Sequence, residues 1–248
     1  MATPGEVSHR IGRAYQCVFI GALEASMRGF ENKFDVHNEP EKMSFNSRAG
    51  KQYSFDFSGV YNQRWQRSEV LGECKGYSKA GTLLAEFRSF LAKAYVTSTD
   101  YSRHRNDWFW FVTNVPFGCS EGSGLRNFEF IRATLTDGTK PEVKEVLGDS
   151  HVDINLIWSL AQRIGVFILT DSFLMSIDLS YKVGDGESLW TILKKFHAGH
   201  APTGFGFIAQ ETASKNNLPS PNRLISGKRI RLSWRGIPGA AGGSFGGF

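Results

Sequence analysis

Three residues have the types and spacing to do chemistry together: Asp56, Glu73 and Lys75. Asp56 sits in the stretch FDFSG, and Glu73 and Lys75 sit in EVLGECKGY at residues 69–77. Side chains on a β-strand alternate between faces, so Glu73 and Lys75 point the same way and Cys74 the other. Phe55 and Phe57 flank Asp56, which puts its carboxylate on the face opposite the two rings. Two carboxylates on adjacent strands, facing the same way, suit Mg²⁺ (or Mn²⁺), a hard ion that takes carboxylate oxygens and waters. A metal so held lowers the pKa of its bound water and polarises phosphate oxygens. A lysine beside it can orient the attacking water or offset charge in the transition state, because its ammonium is a compact charge on a flexible stem. Glu and Lys two residues apart also occur on solvated strand faces, so the surrounding elements must decide.

Those elements read as follows. Residues 8–28 carry Ile11, Tyr15, Val18, Phe19 and Leu23 at helical spacing, with Ser8 as a start signal and Gly29 as a stop. Three strand candidates come next, at 30–38, at 42–47 with 51–62 across the turn RAG, and at 64–77. The clearest helix is GTLLAEFRSFLAKAY at 81–95, with Leu83, Phe87, Phe90, Leu91 and Ala94 on its apolar face. Glu86, Arg88 and Lys93 lie away from that face and read as solvated, with one of them open to contact a phosphate. NDWFWFVTNVPFG at 106–118 is apolar on both faces, as a buried parallel strand is. Its consecutive aromatics divide between the two faces, which favours core packing over a base-stacking platform. LRNFEFIRATL and NLIWSLAQRIGVFI read as helices packing on the sheet, with a loop or short helix between them. The order is that of an α/β fold with helices covering a mixed sheet.

With that order, the first part of the chain resembles the PD-(D/E)xK nuclease superfamily, the restriction-endonuclease-like fold. The resemblance covers roughly residues 8–118, and ECKGY is most similar to the resolvase and Mrr-type branches. It departs from the pattern in carrying Phe55, not Pro, before Asp56. It implies a metal-dependent nuclease with Asp56, Glu73 and Lys75 as catalytic residues, and with Asp56, Glu73 and Cys74 around the metal. It also implies an extra acid on the first helix, for which Glu24 is the candidate. The implied partner is nucleic acid, DNA first, and relatives of this kind often act as homodimers.

Residues 181–232 resemble a LysM domain, in the opening YKV, then GDGESLWTILKKF, the helix-like FIAQETASKNNL and the closing LISGKRIRL. The resemblance implies a small βααβ fold. Its implied ligand is a glycan containing N-acetylglucosamine, or a protein or nucleic acid if the module has been reused. HAGHAPTGFG lengthens the connection between the helices. His197 and His200 within it lack Cys or acid neighbours and read as a polar loop. The expected divisions are a nuclease-like domain at 1–120, a helical connector at 121–180, the LysM-like domain at 181–234 and a Gly-rich flexible tail at 235–248. A nuclease joined to a recognition module suits antiviral genome defence. The rival reading is a non-catalytic scaffold that binds glycan or protein through the second module.

Composition excludes several other classes. Cys17, Cys74 and Cys119 are few, odd in number and form no CxxC pair, which argues against a disulfide framework or zinc site. No signal-peptide layout opens the chain, and the longest apolar run, GVFILTDSFLMSI, is short for a membrane span and contains Asp171. A soluble, cytoplasmic protein is expected. The net charge of +5 is uneven: residues 181–232 hold eight Lys/Arg and three Asp/Glu, so long-range attraction for a polyanion comes mainly from the C-terminal module.

Overall fold

The structure is a computed structural model that describes residues 4–63, 66–76, 81–118, 124–197, 205–220 and 224–234. The elements run α1 (Pro4–Ser26), β1 (Phe30–Asp35), α2 (Pro40–Met43), β2 (Ser44–Asn46), β3 (Gln52–Ser54), β4 (Phe57–Gln63), β5 (Gln66–Lys75) and α3 (Leu83–Asp100). After a 3₁₀ turn (Ser102–His104) come β6 (Trp108–Thr113), α4 (Phe128–Thr136), α5 (Pro141–Leu147), α6 (Ile154–Ala161) and β7 (Ile164–Ile168). The chain continues with α7 (Asp171–Ser176), β8 (Asp178–Lys182), α8 (Leu189–Phe196), α9 (Phe205–Lys215) and β9 (Arg229–Ser233). The Gly-rich tail and the segment around His200 lie outside the described residues. No helix among the described residues is long and apolar enough to cross a membrane.

Two compact units divide the chain. One comprises residues 29–75 and 79–168. Its five-stranded sheet has the order β1-β4-β5-β6-β7. β1, β4 and β5 pair antiparallel, and β5, β6 and β7 pair parallel, so the sheet is mixed and helices flank it. The parallel half needs crossovers: α3 links β5 to β6, and α4–α6 link β6 to β7. As expected of a central strand, β6 is almost wholly buried. Phe111 packs against Phe87 and Phe90 of α3, and Trp110 packs against Phe30, Tyr61 and Phe167.

Two expectations for this unit need correction. GVFI does not extend the helix read at 155–168. It forms β7, because the turn after α6 at Gln162 and Arg163 frees a short apolar run to pair with β6. The stretch 51–62 is not one strand either. It breaks at Asp56 into β3, which pairs with β2, and β4, which pairs with β1 and β5. The turn at RAG is as read, with Gly50 at φ +80° and Ser47 N–H donating to the Lys51 carbonyl.

The other unit comprises residues 1–28, 76–78 and 169–248. Here β8 and β9 form an antiparallel pair, with α8 and α9 between them in sequence. The order is therefore strand, helix, helix, strand. A capping box starts α8, in which Ser188 and Thr191 satisfy each other's backbone, and Leu189, Ile192, Leu193 and Phe196 are buried. His197, expected in a polar loop, is buried at the end of α8.

The first helix belongs to this second unit. α1 begins at Pro4, ahead of Ser8, because proline is favoured in a first turn where its missing N–H costs nothing. Val18, Phe19 and Leu23 are buried, and Gly21 brings α1 so close to β8 that a Cβ there would lie 2.9 Å from the Ser180 carbonyl oxygen. The Tyr15 hydroxyl donates to Asp171 of α7 at 3.3 Å. The boundary expected near residue 120 is thus replaced by a discontinuous one. α1 leaves the sheet unit, and most of the expected connector, up to Ile168, joins it.

Candidate active site

The sheet unit gathers its acids and lysines where β4 begins and β5 ends. Phe57 opposes Gly72 in the antiparallel β4–β5 register, so one step further places Asp56 opposite Glu73. Opposed residues of an antiparallel pair share a face with their Cβ atoms about 5 Å apart. Lys75, two residues on, shares that face too. Three hydrogen bonds to neighbouring backbone groups hold Asp56 at the break between β3 and β4. Its N–H donates to the Gly72 carbonyl at 2.8 Å, its carbonyl accepts from Val36 N–H at 3.0 Å, and its Oδ2 accepts from Cys74 N–H at 2.7 Å. Gly72 is required for this register, since a Cβ there would lie 2.1 Å from the Phe57 ring.

Glu73 is the centre of the cluster, with only 2 % of its side chain exposed. Lys75 Nζ lies 2.7 Å from its Oε1. Lys93 Nζ, from α3, lies 3.2 Å from Oε1 and 3.1 Å from Oε2. Glu86, two helical turns before Lys93, reaches Lys75 Nζ at 3.2 Å. Residues seven apart fall on one side of a helix, so a single edge of α3 supplies both groups. The helical pattern of the sequence places Glu86 and Lys93 on a solvated face. They border the apolar face that seats α3 on the sheet, and that border overhangs the end of β5. The available signal was the seven-residue spacing of an acid and a lysine beside Phe87 and Phe90.

The electrostatics follow from this crowding. Burial pushes the Asp56 carboxyl up, the Glu73 charge pushes it further, and it reaches about 6 despite Lys75, the Cys74 N–H and Lys93. Burial alone would raise Glu73 as well, but Lys93 and Lys75 outweigh it and hold Glu73 below the usual carboxylate range. Lys75 would be lowered by burial, yet Glu73, Asp56 and Glu86 hold it above the usual lysine range. Two adjacent carboxylates, one of them short of compensating positive charge, are a donor set that fits a hard divalent cation. Cys74 reaches the site by its backbone, through the N–H donated to Asp56.

Glu24, the candidate further acid, lies in the other unit, where only 6 % of its side chain is exposed. There Arg229 of β9 holds it by two bonds, Nη1 to Oε2 at 2.5 Å and Nη2 to Oε1 at 3.0 Å. A second cluster in the sheet unit, Glu69, His104 and Asp107, has ligand atoms within 4.8 Å of one another. The His104 nitrogens are already engaged: Nδ1 pairs with Asp107 Oδ2 at 2.6 Å and Nε2 accepts from Arg103 Nε at 2.8 Å. That cluster fastens the turn that leads into β6.

No family model matches the chain, and no curated protein matches it. Among solved structures, it is similar to a Cap4 SAVED/CARF-domain containing receptor of Moraxella osloensis, at 15 % identity and a TM-score of 0.34 over 67 % of this chain and 36 % of that one. A Cap4 receptor of the same description from Acinetobacter baumannii is matched at 14 % identity and a TM-score of 0.32, over 79 % of this chain and 43 % of that one. The latter protein with the cyclic trinucleotide 2'3'3'-cAAA is matched at 16 % identity and a TM-score of 0.32, over 67 % and 34 %. The chain spans less than half the length of these structures. The chemistry of the cluster is therefore read from its own side chains.

Proposed function

We propose that the sheet unit is a metal-dependent nuclease that hydrolyses phosphodiester bonds, with DNA as the first substrate to test. The observation that carries this reading is the meeting of Asp56, Glu73 and Lys75 at the end of β5, with Asp56 left at a raised pKa of about 6 by its acidic neighbour and by burial. Asp56 and Glu73 would hold the cation, and the Cys74 carbonyl is a candidate further ligand. A bound Mg²⁺ or Mn²⁺ supplies Lewis-acid polarisation of a phosphoryl oxygen and a more acidic water. Cys74 N–H fixes the rotamer of Asp56. Lys75, anchored by Glu73 and Glu86, presents an ammonium to the attacking water or to the charge that builds on the phosphate. The strand–helix–helix–strand unit is proposed as a LysM-like recognition module, and a place in antiviral defence belongs to the same proposal.

The test is cleavage of plasmid, linear duplex, single-stranded DNA and RNA in Mg²⁺, Mn²⁺ or EDTA. Wild type is compared with a Glu73→Ala/Lys75→Ala double variant. Metal-dependent cutting by wild type alone is the expected result. Cutting that survives in the double variant, or no cutting by wild type under any condition, would overturn the assignment.

A further inference from the structure

The two lysines on Glu73 are not equivalent. Lys75 has two ion-pair partners, Glu73 and Glu86, whereas Lys93 has one among the described residues, Glu73. Lys93 Nζ is nearly equidistant from Oε1 and Oε2, at 3.2 and 3.1 Å. It therefore stands on the edge between the two oxygens, where a cation shared by both would sit. Its side chain is 16 % exposed and carries the ammonium on a flexible stem.

Asp56, Glu73 and Glu86 face Lys75 and Lys93, leaving one surplus negative charge when all are ionised. A divalent cation turns that into one surplus positive charge. One phosphodiester then neutralises it. The cation and the Lys93 ammonium cannot both occupy the inner edge of Glu73 without like-charge repulsion.

We propose that Lys93 is an exchangeable counter-ion of Glu73. A divalent cation displaces its ammonium from the carboxylate, and the freed ammonium takes a phosphate oxygen of the substrate. The second half of this rests on the nuclease reading; the first does not.

The test uses the full chain with Lys93→Met and, as a second variant of different polarity, Lys93→Gln. Circular dichroism checks the fold of each. Calorimetry then measures Mn²⁺ binding without nucleic acid. Both variants should bind Mn²⁺ more tightly than wild type, by about tenfold or more, because a competing positive charge is gone. Binding of a DNA oligonucleotide in Ca²⁺, an oxygen-seeking ion, should weaken several-fold. A merely structural pair predicts lower melting temperature with unchanged Mn²⁺ affinity, and that result would overturn the proposal. So would unchanged DNA binding, for its second half. Tighter Mn²⁺ binding in a protein that never cuts would keep the exchange and remove the nuclease. Cutting by wild type with equal Mn²⁺ affinity in all three proteins would do the reverse. No Mn²⁺ binding by any of them would remove both.

Discussion

Asp56 stands in the site at a cost to stability. Its carboxyl is raised to about 6 in the folded chain, against 3.8 when unperturbed, so folding favours its protonated form. Well below pH 3.8 it is protonated folded or unfolded and contributes nothing; well above pH 6 the folded state carries the full penalty. Asp56→Asn imitates the protonated form. The variant should match wild type near pH 3 and exceed it by on the order of 3 kcal/mol at pH 7–8, measured by denaturant melts without metal, while losing cleavage. Glu73→Gln should do the opposite. It leaves the ammoniums of Lys75 and Lys93 without their shared carboxylate, so a loss of about 3 kcal/mol at pH 7 is expected together with loss of Mn²⁺ binding. At this scale the sequence was informative where one period governed the geometry. Period-two alternation aligned Glu73 with Lys75 and set Asp56 on the face opposite Phe55 and Phe57. Lys93 and Glu86 were illegible because a helix pattern sorts residues into core and solvent. It does not say that the border of the core face will hang over a strand end.

Elements are held in register here by rings lying on glycines. Phe57 covers Gly72, and Phe30 covers Gly59, where a Cβ would lie 2.5 Å from the Phe30 ring. Gly72→Ala should cost about 1–3 kcal/mol by overpacking. A Phe57→Leu partner mutation should recover part of it, read as a double-mutant cycle in urea. Ser188→Ala removes one half of the capping box of α8 and should lower the stability of that unit by about 1 kcal/mol, seen as faster amide exchange in α8 with the sheet unit unchanged. α3 and β6 were legible because length, periodicity and apolar content agreed. β7 was not, since a five-residue apolar run beside a helix has no period of its own to separate it. The membership of α1 was hidden for another reason. An amphipathic face declares that it will be buried, and nothing in its pattern names the surface that buries it.

On the scale of the molecule, charge is divided as the units are. Residues 29–75 and 79–168 hold 17 Lys/Arg and 17 Asp/Glu, whereas residues 1–28, 76–78 and 169–248 hold 12 and seven, so the whole net charge of +5 resides in the second unit. If this protein binds a polyanion, the salt-sensitive part of the affinity belongs there. Lys194→Glu with Lys228→Glu should weaken DNA binding and flatten its dependence on salt, measured by fluorescence anisotropy from 50 to 200 mM salt, roughly the range over which counterion release is felt. Mn²⁺ affinity at the acidic cluster should be unchanged. The Glu24–Arg229 pair has a further consequence, for synthesis. It joins α1 to β9, with the entire sheet unit made in between. At about 5–20 residues per second, α1 emerges roughly 10–40 s before β9. During that interval the sheet unit can fold while Val18, Phe19 and Leu23 still await their partners. A ribosome stalled before β9 would thus display a finished acidic cluster together with an α1 whose apolar face is still open to chaperones.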